Sequence, residues 1–325
     1  MKFFKTIFFI TYIILLNLTV AESSQLKKVA IANYGIHSSL EDTIFGIKNQ
    51  LTKEGFIEGK NIEYKILHVN FEQTLIPQML NKLLAYNPDV IVSITTPVTQ
   101  SAKRIVKNKP LVFASITDPV SAGILDNKNT AKDNITGAAE KQNLSTMLEF
   151  IKTVLPSAHR IGVLYALNED NDKAMIEDLE LAAKKLNMEV VKVGIDQQSD
   201  IPKRINILKN KVDLIYVSTS GPIQPALSVI TSFADKNNIP VFNADAEAIK
   251  KHKVLGSYSV SFTTIGQNAG KIISKILNGQ NINSISPIYP SKADHIAILS
   301  KKKMDLLKIT PDLEALKEFN TEIIE

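Results

Sequence analysis

A strand, a polar exit loop and a helix follow one another in one half of this chain, and the same succession returns in the other half. The clearest copy is residues 87–102, NPDVIVSITTPVTQSA. The β-branched run 89–94 suits a strand buried on both faces of a parallel sheet. Thr95-Thr96-Pro97 breaks that run, and Thr96 before Pro97 reads as the capped start of a helix. Residues 213–222, DLIYVSTSGP, answer it almost position for position. Ile161, Asp213 and Pro240 follow Val29, Asp89 and Pro110 by 132, 124 and 130 residues. Four strands in the same order with matching polar exits predict an α/β fold of two similar Rossmann-like lobes. Each is a right-handed parallel sheet covered by helices.

The chain beyond the second copy predicts how the lobes are joined. Residues 264–278 form a good helix, with Gly266 and Gly270 spaced for close packing and Gly279 ending it. The second lobe already has its four strands, so this tail is expected to cross back to the first lobe and return. The expected division is 22–122 plus 262–284 for the N-terminal lobe and 138–250 plus 292–325 for the C-terminal lobe. Crossovers at 123–137, 251–261 and 285–291 would make a multi-strand hinge, an arrangement suited to closing over a ligand.

The first 21 residues differ in kind. Lys2 and Lys5 precede a short apolar block, 7–16, and small residues reach Ala21. The block is shorter than the roughly 20 residues a membrane span needs, and the pattern matches a signal peptide cleaved after Ala21, an uncleaved anchor being the alternative. The chain has no cysteine, which excludes disulfides and a lipid-modified thiol and points to a free periplasmic protein. Net charge falls from +5 to +3 once Lys2 and Lys5 leave, too little for a nucleic-acid footprint. No histidine pair has metal spacing, and no phosphate-binding loop, dinucleotide fingerprint or nucleophile elbow occurs, so neither cofactor nor metal is expected.

Ligands of open α/β sheets sit at the carboxyl ends of strands. Thr95, Thr96 and Pro97 would offer hydroxyls and a helix start to a carboxylate. Asp118 and Asp245, at equivalent exits of the two halves, could each accept from an ammonium group. Thr117, Thr219 and Ser220 are weaker candidates of the same kind. Tyr34, Tyr165 and Tyr258 could stack on a flat ligand, and His37 lies in the first exit loop. Tyr216 and Phe242, inside strands, read as core.

The words EGFIEGKN at 54–61, NPDVIV at 87–92, TTPVTQSA at 95–102 and VFASITDPV at 112–120 resemble the substrate-binding proteins of tryptophan/tyrosine-type ABC importers. The likeness continues through NITG at 134–137, LPSAHRIGV at 155–163 and IPVF at 239–242. It implies a type I periplasmic-binding-protein fold, capture of a small solute, often an aromatic amino acid, and delivery to a membrane permease and its ATPase. It also implies roles for His37-Ser38, where the family has His-Pro, and for Asn171, which matches a family asparagine. Thr219-Ser220-Gly221 stands where the family has Thr-Asp-Asn, and residues 258–261 stand where it has Tyr-Gly-Phe-Asp. A monomer with no enzymatic activity is expected. The competing readings are a sensor that docks on a membrane receptor and, further off, a cleft enzyme.

Overall fold

The computed structural model describes residues 26–250 and 253–325, the side chain of Lys250 excepted. The leader predicted over residues 1–21 lies outside them. Strands β1 (Lys27–Asn33), β2 (Ile62–His68), β3 (Val90–Ile94), β4 (Leu111–Ile116) and β5 (Ile135–Ala139) form a wholly parallel sheet in the order β2-β1-β3-β4-β5. Every residue of β3, β4 and β5 is buried, as apolar strands covered on both faces must be. Helices α1 (Ser38–Lys53), α2 (Ile76–Leu84) and α3 (Thr96–Ile105) make the crossovers. Because β1 has neighbours reached in opposite directions, right-handed crossovers place α1 on one face and α2 and α3 on the other.

The second sheet repeats this order. Strands β6 (Arg160–Ala166), β7 (Glu189–Ile195), β8 (Leu214–Val217), β9 (Val241–Asn243) and β10 (Gly256–Val260) run β7-β6-β8-β9-β10 in parallel. Beyond β10, β11 (His295–Ser300) joins antiparallel, and β12 (Glu322–Ile324) pairs with β11. Two apolar clusters cover the faces of this sheet, and a third forms the core of the first lobe. Helices α4 (Leu144–Val154), α5 (Asp170–Lys185), α6 (Ile201–Arg204), α7 (Leu227–Lys236) and the short α8 (Glu247–Lys250) belong to this lobe. Thus each lobe has a fifth parallel strand that the repeat did not reveal.

Among the described residues the chain crosses between lobes three times, and the first crossing is not where the sequence placed it. Residues 123–137 stay on the first lobe because β5 pairs in parallel with β4; the crossing comes at 140–143. The second is the step from β10 through Ser261 into α9 (Phe262–Leu277), which packs on α1. The third comes after the bridge of Ile288 to Ala138 on the first sheet and ends at β11.

Candidate functional site

In a sheet of order 2-1-3-4-5, the chain leaves β1 and β3 in opposite directions, and the gap above their carboxyl ends is where ligands bind. Each lobe has that gap, and the two face one another. Between them lies a cavity lined by both lobes. The first lobe supplies Tyr34, His37, Ser39 and Leu40 after β1, Phe71 after β2, Thr95, Thr96 and Pro97 after β3, and Ser115 and Thr117 from β4. The second supplies Glu169 and Asn171 after β6 and Thr219, Ser220, Gly221 and Gln224 after β8. Glu140 and Phe262 enter from two of the crossings.

The first-lobe loops are strained where they meet the cavity. Phe71, Thr95 and Ser115 all have positive φ, at 65°, 83° and 52°, a conformation that costs side-chain-bearing residues about 1–3 kcal/mol each. Ser115 is the bulge residue at the break in β4–β5 register. Thr95, not Thr96, is the N-cap of α3, and its side chain caps nothing. Thr95 Oγ1 has no partner within the protein. Ser220 Oγ, in the opposite lobe, makes no well-formed bond either, although it lies near enough to Asp172 to favour the ionised carboxylate. The first amides of α3 have no partner within their own helix, so an anion placed there meets N–H groups, hydroxyls and the positive helix end.

The opposing wall is acidic. Glu169 precedes α5 and accepts from Tyr34 Oη of the other lobe at 3.3 Å. Burial, then the nearby Asp172, pushes its carboxyl up to about 7 against Asn171, Tyr34 and the Gly221 amide. Tyr34 is likewise pushed above the ordinary phenol range by burial and by Glu169. Asp172 is raised to about 6 by burial, although the Ala166 amide donates to it at 2.5 Å. Glu140 also sits near 7: burial raises it, Thr219 and Gln142 pull it back, and Asp245 adds to the rise. Glu140 Oε1 and Asn171 Oδ1 have no hydrogen-bond partner in the protein.

The structure brings Tyr34, His37, Thr95, Thr96, Pro97, Thr117, Asn171, Thr219 and Ser220 to one cavity. It places five other candidates elsewhere. Ser38 opens α1 on the exposed side, and Ser39 turns inward instead. Asp118 accepts from the Val120 and Ser121 amides and pairs with Lys141, which also meets Asp178 at 3.0 Å. Burial opposes ionisation of Asp118, but Lys141 and the two amides hold its carboxyl below the usual range. Asp245 accepts from Ser39 Oγ across the lobes at 2.7 Å and from the Glu247 amide at 3.0 Å. Both aspartates are therefore already partnered by the protein. Strand alternation puts Tyr165 with Ile161 and Val163 against the second core. Tyr258 is buried in that same core, 5.2 Å from the ring of His295 and nearly parallel to it. Tyr216 and Phe242 are core too.

Sequence reasoning missed Ser39, Leu40, Phe71, Ser115, Glu140, Glu169, Gly221, Gln224 and Phe262. Gly221 stood in the Thr219-Ser220-Gly221 loop and Glu169 two residues before Asn171; nothing local marked Phe71 or Glu140. Gly221 has a physical signature in the structure: a Cβ there would lie 2.8 Å from the Tyr34 ring. Only glycine lets that ring cross the gap to Glu169.

The bonds from Ser39 to Asp245, Tyr34 to Glu169 and Gln100 to Asp170 all span the cleft, so the lobes are closed. The profile of the ABC transporter substrate binding protein family matches residues 28–321. The chain belongs to that family. This substrate-binding protein is 28% identical over 293 residues to the tyrosine-binding protein of Clostridioides difficile (strain R20291), covering 90% of this chain and 84% of the relative. An ABC domain from Streptococcus pneumonia in complex with L-Trp superposes with a TM-score of 0.86 at 24% identity, over 92% of this chain and 99% of that one. The ligand-free, open structure of a Clostridium difficile substrate binding protein with adhesive properties reaches 0.70 at 25% identity, again over 92% and 99%. The lower score at equal coverage agrees with the closed pose of this substrate-binding protein. Among its described residues, no helix is long and apolar enough to cross a membrane.

Proposed function

We propose that the cleft captures an amino acid by lobe closure and hands it, chemically unchanged, to an ABC permease in the inner membrane. The observation that carries this reading is the polarity of the closed cavity: the α3 start with Thr95 and Thr96 on one wall, Glu140 and Glu169 on the other. A solute carboxylate would take the helix start and the Thr95 and Ser220 hydroxyls. Its ammonium would face the acidic wall, and Tyr34, Phe71, Phe262, Leu40 and Pro97 would enclose its apolar portion. The tyrosine-binding relative and the L-Trp complex support an amino-acid solute. The basic, apolar leader at residues 1–21 supports a periplasmic location.

Calorimetric titration with the proteinogenic amino acids, beside native mass spectrometry of the protein as purified from its host, tests this. At least one amino acid should bind at micromolar Kd, about −8 kcal/mol, and be recovered with its mass unchanged. Thr95→Val should weaken that binding roughly tenfold, as loss of one bond to a charged group does. Absence of any amino-acid binding below millimolar concentration would refute it, as would recovery of a converted product.

A further inference from the structure

The acidic wall contains more than one ammonium needs. Glu140 and Glu169 come from different loops, and each is only 3% exposed. No lysine or arginine is among the described residues that line the cavity, and His37, the one other basic side chain there, accepts the Ser39 amide on Nδ1. The acids just behind the wall are already partnered: Asp172 by the Ala166 amide and Asn171, Asp245 by Ser39 and the Glu247 amide.

A zwitterion brings one positive and one negative group, and its negative group goes to the α3 start. One buried carboxyl would then gain a counter-charge, and the other would have to keep its proton. The positive end of α5 offsets part of this at Glu169, its N-cap. At Glu140 the titratable groups that bear on the carboxyl are Asp245 and Tyr216, both acids.

A second observation points the same way. Each carboxylate region has a spare acceptor on a side chain more than nine-tenths buried: Glu140 Oε1 in one, Asn171 Oδ1 beside Glu169 in the other. Spare acceptors suit groups with several N–H donors, three on an ammonium and five on a guanidinium. The edge-to-face pair Tyr34–Phe71, with ring centroids 5.4 Å apart, adds π-faces that can lie against a cation.

We propose, resting on the amino-acid reading above, that the solute is a basic amino acid that presents one cationic group to Glu140 and the other to Glu169. Burial holds both carboxyls near 7, so at neutral pH the arriving cations displace protons that these groups carry.

Isothermal titration of the wild-type protein tests this without any variant. Arginine, lysine and ornithine are compared with tyrosine, tryptophan, phenylalanine and leucine at pH 7 in two buffers of different ionisation enthalpy. A basic amino acid should bind at least a hundredfold more tightly than every neutral one and release protons. Glu140→Gln and Glu169→Gln should each weaken the basic ligand at least tenfold and reduce the protons its binding releases. A neutral amino acid that binds as tightly as the best basic one, or binding of the basic one without proton release, overturns the dibasic assignment and leaves the amino-acid reading standing. No binding by either group overturns both.

Discussion

Glu140 is a carboxylate enclosed by its own protein with no cation beside it, and that has a cost readable in stability. Unfolded, it titrates near the ordinary glutamate value of 4.5; folded, near 7. The folded state therefore binds its proton more tightly, and between those values stability falls as pH rises. The destabilisation is complete above pH 7 and absent below about 4.5. A gap of this size corresponds to roughly 3 kcal/mol. Glu140→Gln should thus raise the melting temperature of the solute-free protein by several degrees at pH 8, with the gain vanishing near pH 5. Scanning calorimetry at the two pH values checks this, and an equal effect at both would contradict the assigned ionisation. Asp118 shows the opposite sign for the same residue class. Lys141 and two amides hold it low, so its contribution is present above the ordinary aspartate range and lost on acidification.

At the scale of elements, the contact of α1 with α9 governs the site from a distance. The two helices touch through glycines. A Cβ on Gly266 would lie 2.1 Å from the Thr43 carbonyl oxygen, and one on Gly46 would lie 2.2 Å from that of Thr263. Alanine is the better helix former by about 1 kcal/mol, but backbone carbonyls cannot give way, and overpacking of this kind costs about 1–3 kcal/mol. The clash wins, so Gly266→Ala should lower the melting temperature. Both helices begin at the cavity, α1 beside His37 and Ser39 and α9 with Phe262. Solute affinity should therefore fall in the same variant, and calorimetry would show it; unchanged stability and affinity would show that the helices separate freely. The glycine spacing in 264–278 was legible from sequence. That its partner is α1, with Gly46 opposite, was not, because more than 200 residues separate the two glycines.

For the whole molecule, the closed state depends on bonds across the cleft that a solute need not touch. Asp245 does not line the cavity, yet it accepts from Ser39 of the other lobe at 2.7 Å. Asp245→Ala should cost the closed form about 1–2 kcal/mol, a roughly five- to thirtyfold loss of affinity expressed mainly as faster dissociation. X-ray scattering should show a larger radius of gyration for the variant at subsaturating solute. A dissociation rate equal to that of the wild type would assign the closed pose to the other interlobe contacts, Tyr34–Glu169, Gln100–Asp170 and the Lys141 bridge between Asp118 and Asp178.

Sequence by itself determined the parallel sheets, their duplication and the loops that tip them, since hydrophobic period, turn chemistry and helix starts are properties of neighbouring residues. It therefore reached nine lining residues, from Tyr34 to Ser220. Only the tertiary structure decided that Ser39 rather than Ser38 faces inward, a matter of one step around a helix. It also decided that Asp118 and Asp245 are held by the protein's own groups while Glu140 and Glu169 face the cavity. Whether a carboxylate meets a lysine, an amide or open space depends on chain segments brought together from far apart. Charge has no periodicity along the chain from which that meeting could be read.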